Sequence, residues 1–227
     1  MNKEKMIIFD MDGTLYDLDD VVSSNYQMQV DFLSKKKGFS QKEAASFLEK
    51  HHIYTEMKKD SKSATELFLE IGLDKKEWSA YRDSKFDVSK IQKIKATDEM
   101  TVKSFSQFGI IVLLSSNAYT VIERVLNHLD ISPKIFNHII CSDKFPYDVP
   151  FKKQMAMEYL SKEYNVDYSN IYSIGDRYTT DILPMLELGG KGILLRKPTS
   201  MPTVLSHFAS RSLKSCEEYS YYDKKKE

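Results

Sequence analysis

Hydrophobic and polar positions follow two different patterns along this chain. Short, mainly hydrophobic runs lie at 6–9, 110–114, 139–141, 171–174 and 192–195, and such runs are typical of buried strands in a parallel sheet. Amphipathic helical stretches separate the later runs, and alternating strands and helices require parallel pairing with right-handed crossovers. The pattern therefore predicts an α/β fold built on a doubly wound parallel sheet.

The stretch between the first two runs is helical in pattern and carries no strand signal. Apolar residues recur every three or four positions, and Ser40 with Glu43 forms a capping box for one of the helices. Thr97 is predicted to begin the helix that precedes the second run. These signals divide the chain into an α/β core at 1–17 and 86–213, an inserted helical domain at 18–85, and a polar tail at 214–227 that is expected to be frayed over 217–227.

Composition and charge exclude several classes of protein. The 33 basic and 33 acidic residues balance, so the chain has no electrostatic preference for nucleic acid. The apolar run before Asp10 is too short for a signal peptide, and no later run is long enough to span a bilayer. Cys141 and Cys216 form no CxxC pair, so we expect free thiols in a reducing compartment. We expect a soluble, cytoplasmic protein without a nucleic-acid polymer or a membrane as partner, and its oligomeric state stays open.

The first predicted strand ends in residues that carry chemistry. Asp10 and Asp12 follow it directly, where open α/β sheets build their sites. Neighbouring carboxylates repel each other, so the pair predicts a cation between them, and Mg2+ prefers carboxylate oxygens together with water and a substrate phosphate. Gly13 permits a sharp turn, and Thr14 supplies a hydroxyl group. An ordinary turn is the alternative interpretation, because Asp and Gly are common turn residues.

The second predicted strand also ends in polar residues. Ser116 and Asn117 follow the run at 110–114 and stand before a helix, whose free N–H groups and dipole favour a phosphate. The same residue types cap helices routinely, so the segment is a permissive signal by itself. Its position directly after a strand favours an anion site.

The remaining polar groups come from a helix and from the fourth predicted strand. Lys152 and Lys153 begin the helix that follows the third strand, and exposed lysines without a special role are the ordinary alternative. A glycine and Asp176 end the fourth strand, and Asp181 follows closely enough to reach the same ion directly or through water. The alternative for Asp181 is a simple helix N-cap.

These four segments together resemble the motifs of the haloacid dehalogenase (HAD) superfamily. The run at 10–16, Asp-Met-Asp-Gly-Thr-Leu-Tyr, is similar to the first motif, and Gly-Asp at 175–176 followed by Asp181 is similar to the fourth. The familiar Lys-Pro pair of the third motif is missing. The resemblance covers 6–16 and about 97–195, and it implies a Rossmann-like HAD core with a helical cap inserted after the first motif.

The resemblance also implies a role for each candidate residue. Asp10 is expected to be the nucleophile, Asp12 the general acid and base, and Lys153 the catalytic lysine, with Lys152 as second choice. The implied phosphate-binding residues are Thr14, Ser116, Asn117 and Lys153. The implied Mg2+ ligands are Asp10, Asp12 through its backbone carbonyl, Asp176 and Asp181.

The implied function is Mg2+-dependent hydrolysis of a small phosphomonoester, of nucleotide or sugar phosphate type, through an aspartyl-phosphate intermediate. Asp12 disfavours a dehalogenase, because dehalogenases of this superfamily lack an acid/base at that position. A phosphomutase shares all four motifs and stays open, as does a phosphate-binding protein without turnover. The sequence does not specify the substrate, and the candidate specificity residues of the cap are Tyr26, His51, Tyr54 and Lys58.

Overall fold

The computed structural model describes residues 5–51, 64–145 and 151–223. Tyr54 and Lys58, two of the candidate specificity residues, lie outside the described residues. Among the described residues, none of the helices combines the length and the apolar character that a membrane crossing requires. Both cysteines are free, as the sequence predicts.

The chain divides into two compact units. The core unit contains residues 1–18 and 91–227, and the helical unit contains residues 19–90. The described part of the helical unit is mainly helical, and its capping box of Ser40 and Glu43 is present as predicted. Its helices are α1 (Asp19–Lys37), α2 (Gln41–Lys50), α3 (Ala64–Glu70) and α4 (Lys75–Lys85).

Aromatic side chains form the centre of the helical unit. The ring of Trp78 lies 5.1 Å from that of Phe32 and 4.9 Å from that of Phe68, measured between centroids. All three side chains are buried, and the indole Nε1–H of Trp78 donates a hydrogen bond of 3.0 Å to Thr65 Oγ1. Buried aromatic pairs contribute about 0.5–1.5 kcal/mol beyond the area that they bury. Three helices, α1, α3 and α4, are therefore held together by one aromatic cluster.

The core unit is built on a six-stranded sheet in the order β3-β2-β1-β4-β5-β6. The first five strands pair in parallel, which confirms the predicted doubly wound α/β fold. In register, Phe9 lies beside Leu113 and Ile174, so the central strands end at the same edge of the sheet. The strands are β1 (Lys5–Phe9), β2 (Gly109–Leu114), β3 (His138–Ile140), β4 (Ile171–Gly175), β5 (Lys191–Leu195) and β6 (Tyr219–Asp223).

Hydrophobic side chains cover both faces of this sheet, which explains why the strand runs are hydrophobic at consecutive positions. Ile8 belongs to a buried cluster with Met157 on one face. Phe9 points to the other face, where its ring contacts Phe105 edge-on at 5.1 Å, and Phe105 contacts Phe208 at 5.6 Å. The described helices of the core unit are α5 (Glu99–Ser104), α6 (Tyr119–His128), α7 (Lys153–Glu163), α8 (Leu183–Glu187) and α9 (Met201–Ala209).

The C-terminal segment corrects one sequence prediction. A polar tail was expected from residue 214 onward, frayed over 217–227, but Tyr219–Asp223 forms β6, which pairs antiparallel with β5. Tyr219 is fully buried and its hydroxyl lies 2.6 Å from His207 Nδ1, so a residue that reads as polar packs as an aromatic core residue. Ser215 Oγ accepts a hydrogen bond from Tyr221 N and donates one to Tyr221 O, which satisfies backbone groups of this strand.

Candidate active site

The turn that follows β1 brings the first two aspartates to the edge of the sheet. Asp10 N donates to Ile174 O at 2.9 Å, which extends the pairing of β1 with β4 by one residue. The chain then turns, with Leu15 N bonded to Met11 O at 2.9 Å, and Gly13 has φ +73°. A Cβ atom at position 13 would lie 2.3 Å from Asp176 Oδ2, so this turn requires glycine for both its backbone angle and its close approach to Asp176.

Thr97 holds the end of this turn instead of beginning a helix. Its buried hydroxyl donates to Leu15 O at 2.7 Å, a bond between residues far apart in the sequence. The helix α5 begins after Asp98, whose side chain accepts from Thr101 N at 2.8 Å. The prediction of Thr97 as the N-cap is therefore wrong, because Asp98 satisfies the free N–H group and leaves the threonine to contact the turn.

Three aspartates and a lysine meet beside this turn. Asp10, Asp176 and Asp181 each present one carboxylate oxygen, and these oxygens all lie within 4.8 Å of one another. Lys153 Nζ, at the start of α7, donates to Asp10 Oδ1 at 2.5 Å and to Asp181 Oδ1 at 2.7 Å. Lys152 is exposed and occupies the N-cap position of α7. The geometry therefore brings Lys153, the first choice from the sequence, to the nucleophile candidate.

Asp181 is fixed more firmly than the other two aspartates. It lies in a short π-helical turn, Tyr178–Ile182, that follows β4. Its Oδ2 atom accepts from Arg177 N at 2.9 Å, and its Oδ1 atom accepts from Thr180 Oγ1 at 3.0 Å in addition to Lys153. It accepts these bonds while almost completely buried, so the N-cap alternative from the sequence describes only part of its environment.

The charges in this cluster perturb one another. Burial raises the pKa of Asp10, and the carboxylates of Asp181 and Asp12 raise it further, although Lys153 opposes them. Burial and the neighbours Asp181 and Asp10 likewise raise the pKa of Asp176 well above its ordinary value. Burial alone lowers the pKa of Lys153, but Asp10 and Asp181 raise it by more, so the lysine stays protonated. Lys153 thus faces more carboxylates than its single charge can neutralise, and these carboxylates cannot all be ionised at low energy.

The same cluster fits a hard divalent cation. The Oδ1 atom of Asp176 is buried and has no hydrogen-bond partner, which is an unfavourable position for a carboxylate oxygen without a cation. Carboxylate oxygens are the ligands that Mg2+ prefers. Asp10, Asp176 and Asp181 supply this donor set, and the expected contribution of the Asp12 backbone carbonyl stays a prediction.

Asp12 points into a different hydrogen-bond network. Its Oδ1 atom accepts from the Tyr16 hydroxyl at 2.6 Å, and its Oδ2 atom accepts from Asn117 Nδ2 at 2.7 Å. The amide of Asn117 also donates to the buried Ser115 Oγ at 3.2 Å. The sequence did not reveal Tyr16 and Ser115 as members of this network. The only available signal for Tyr16 was its position four residues after Asp12 within the first motif.

The predicted phosphate-binding residues lie around the same edge. Thr14 is fully buried, and its Oγ1 atom has no hydrogen-bond partner. Ser116 is exposed in the loop between β2 and α6, while Asn117 is buried beside it. The structure places Asn117 against Asp12, and the phosphate contacts of all these residues stay predictions.

Comparison with known proteins identifies a family and a fold. A family model described as haloacid dehalogenase-like hydrolase matches residues 4–189. No curated protein sequence matches the chain significantly. A HAD phosphatase from Thermococcus onnurineus is 18% identical and superimposes with a TM-score of 0.58, covering 85% of this chain and 86% of that one.

Two further solved structures share the fold. A haloacid dehalogenase-like family hydrolase from Xanthomonas campestris is 14% identical, with a TM-score of 0.52, covering 92% of this chain and 94% of that one. A Bacillus subtilis protein assigned to the HAD hydrolases was solved bound to magnesium. It is 12% identical, with a TM-score of 0.53, covering 90% of this chain and 100% of that one. At these identities the likeness shows the fold alone.

Proposed function

The chain belongs to the haloacid dehalogenase-like hydrolase family, and on that premise we propose that it is a Mg2+-dependent phosphomonoester hydrolase with Asp10 as its nucleophile. One observation supports this function above all. Asp10, Asp176, Asp181 and Lys153 come from separate segments of the core unit and meet in one largely buried cluster. A purely structural cluster has no need of three neighbouring carboxylates, one of which has a buried oxygen without a partner.

Asp10 would carry the covalent step. One carboxylate oxygen of Asp10 attacks phosphorus, the bond from phosphorus to the leaving-group oxygen breaks, and an aspartyl-phosphate forms. Water then attacks the same phosphorus and releases inorganic phosphate and the free carboxylate. A carboxylate that approaches a phosphate dianion is repelled, and the ammonium of Lys153, 2.5 Å from Asp10 Oδ1, reduces that repulsion.

Asp12 would move the protons in both half-reactions. In the first it gives a proton to the leaving-group oxygen, and in the second it takes a proton from the attacking water. Such general acid and base catalysis contributes about 100- to 10,000-fold to the rate.

The side chains of Asp10, Asp176 and Asp181 and the backbone carbonyl of Asp12 would hold Mg2+. When bound, the ion supplies positive charge against the phosphoryl oxygens and offsets the repulsion among the carboxylates. The magnesium bound to the Bacillus subtilis protein of the same fold supports this choice of metal.

The remaining residues would bind and select the substrate. We propose that Thr14 and Ser116 contact the phosphoryl group together with Lys153, whereas Asn117 acts beside them by donating its amide N–H groups to Asp12 Oδ2 and Ser115 Oγ. Thr14 supports this with a buried hydroxyl that has no other partner. The helical unit would act as a cap that selects a small phosphorylated metabolite.

The test is the release of inorganic phosphate from a panel of nucleotides, sugar phosphates and other phosphomonoesters, with Mg2+ and with EDTA. We expect release that requires Mg2+ and is lost in Asp10→Asn. Asp98→Asn is the matched control, because Asp98 only caps α5 and asparagine caps equally well. Substrate that is consumed without release of phosphate would indicate a phosphomutase. A folded protein that binds Mg2+ but consumes no ester would refute the hydrolase.

A further inference from the structure

Tyr16 is a buried residue beside the proposed acid/base that the mechanism above does not use. Its side chain is fully buried and is among the largest such side chains of the described residues. The backbone of Tyr16 is bridged to that of Asp12, and the preceding carbonyl, Leu15 O, is held by Thr97 Oγ1. The phenol ring therefore has little freedom to move away from Asp12.

The carboxylate of Asp12 is held at both of its oxygens. The Tyr16 hydroxyl donates to Oδ1 at 2.6 Å, and Asn117 Nδ2 donates to Oδ2 at 2.7 Å. Asn117 is itself anchored, because Ser115 Oγ accepts from both its backbone N and its side-chain Nδ2 at 3.2 Å. The two donors, Tyr16 and Asn117, thus prevent rotation of the Asp12 carboxylate. Each carboxylate oxygen keeps a second lone-pair site for a proton.

The direction of the Tyr16 bond matters for proton transfer. The Tyr16 hydroxyl is the donor of this bond, because the oxygens of an ionised carboxylate can only accept. When Asp12 gives its proton to a leaving group, the carboxylate that remains is negative. A donated hydrogen bond to an ionised acceptor is roughly twice as strong as one between neutral groups.

We propose that Tyr16 is a positioning residue that orients the Asp12 carboxylate for proton transfer to the leaving-group oxygen and stabilises it after the proton has gone. Tyr16 acts through Asp12 and contacts no reacting atom. This inference rests on the proposed function, because it assigns the acid step to Asp12. The contribution of Tyr16 to the rate should depend on how much the leaving group needs a proton. An alkoxide leaves poorly without one, whereas a nitrophenolate leaves well.

The first experiment compares kcat/KM of the wild type and Tyr16→Phe on two esters, an alkyl phosphate and p-nitrophenyl phosphate. We expect a loss of about 10- to 100-fold on the alkyl ester, from one hydrogen bond to a charged group, and a much smaller loss on the nitrophenyl ester. Equal losses on both esters would overturn the inference, because a merely structural role of the hydroxyl does not distinguish leaving groups.

Tyr219→Phe is the matched control. It also removes the hydroxyl of a fully buried tyrosine with a 2.6 Å hydrogen bond, but its partner is His207 and not a residue of the proposed site. We expect it to change kcat/KM equally on both esters, if at all. A leaving-group effect in this control as large as that in Tyr16→Phe would also overturn the inference.

A second measurement does not depend on activity. Urea unfolding of the wild type, Tyr16→Phe, Asp12→Ala and the double variant gives the coupling between the two side chains. We expect a coupling of about tenfold or more in the unfolding equilibrium constant. Its absence would overturn the inference even if the protein hydrolyses phosphate esters. If the two side chains are coupled but the protein hydrolyses no ester, the hydrogen bond is confirmed and the proposed function is refuted. The role assigned to Tyr16 is then refuted with it.

Discussion

The substitution Asp176→Asn should stabilise the protein when Mg2+ is absent and abolish its activity. Asp176 Oδ1 is buried without a hydrogen-bond partner, and its carboxylate lies against those of Asp10 and Asp181. Asparagine keeps the size and shape of the side chain and removes its charge. The variant therefore tests whether Asp176 is retained for its chemistry and at the expense of stability.

The expected magnitude follows from the geometry. Two unit charges 4.8 Å apart interact with about 3.5 kcal/mol at an effective dielectric constant of about 20. A buried acceptor without a partner adds about 1–3 kcal/mol. Protonation of the carboxyl limits both penalties, so we expect Asp176→Asn to raise the free energy of unfolding in EDTA by about 1–3 kcal/mol at about pH 8.

The effect of Asp176→Asn should depend on pH with a defined sign. Burial, Asp181 and Asp10 raise the pKa of Asp176 in the folded protein. The penalty is therefore absent below about pH 4, where the carboxyl is protonated in both states, and it grows as the pH rises from there to the folded pKa. The difference in the free energy of unfolding between Asp176→Asn and the wild type should therefore be absent below about pH 4 and grow over the same pH range.

The assay is urea unfolding followed by far-ultraviolet circular dichroism, in EDTA and in Mg2+. Added Mg2+ should stabilise the wild type and not Asp176→Asn, because a ligand stabilises only the state that binds it. Asp181→Asn is the control, since it disturbs the bonds from Lys153 and Arg177 N and should destabilise the protein. If Asp176→Asn destabilises the protein in EDTA as much as Asp181→Asn does, the reasoning about the unpartnered carboxylate is wrong.

Two further substitutions and one truncation test other parts of the core unit, and the substitutions have matched controls at Gly38 and Lys152. Gly13→Ala should lower kcat/KM at least 100-fold, by displacing Asp176, which lies 2.3 Å from the position of the new methyl group. Gly38→Ala, with a similar φ of +70° and open space around it, should change only stability, by about 1–2 kcal/mol. Lys153→Met should lower kcat in the phosphate-release assay at least 100-fold, and Lys152→Met should leave it within about threefold. A stop after residue 213 removes β6 with its buried Tyr219. Calorimetry should show that the free energy of unfolding falls by about 3 kcal/mol or more. An unchanged melting temperature would contradict the role given to this strand.

The sequence predicted the parts of the fold that depend on hydrophobic periodicity. The first five strands are each hydrophobic at consecutive positions, because both faces of the sheet are covered, and the parallel order follows from the helices between them. The sixth strand was missed because Tyr219 and Tyr221 stand among charged and polar residues. Both residues pair with β5 through their backbones and both hydroxyls are hydrogen-bonded, which a scale of polarity does not register.

The candidate site shows a similar division. Asp10 and Asp176 could be placed at one edge of the sheet, because both follow predicted parallel strands directly. The choice between Lys152 and Lys153 required the structure, although Lys153 stands three and four residues before the buried Ala156 and Met157 of α7 and so shares their face of the helix. Tyr16 was not predicted, since sequence spacing does not reveal the direction of a buried hydroxyl.

The aromatic cluster of the helical unit has a spectroscopic consequence. Trp78 is the single tryptophan of the sequence, and it is buried between Phe32 and Phe68 with its indole N–H bonded to Thr65. Its emission therefore reports the environment of the helical unit alone. A phosphate analogue that binds the aspartate cluster and shifts this emission would support the proposed role of the helical unit as a cap. An unchanged spectrum on saturation would show that the packing of Trp78 on Phe32 and Phe68 is the same with and without the bound analogue.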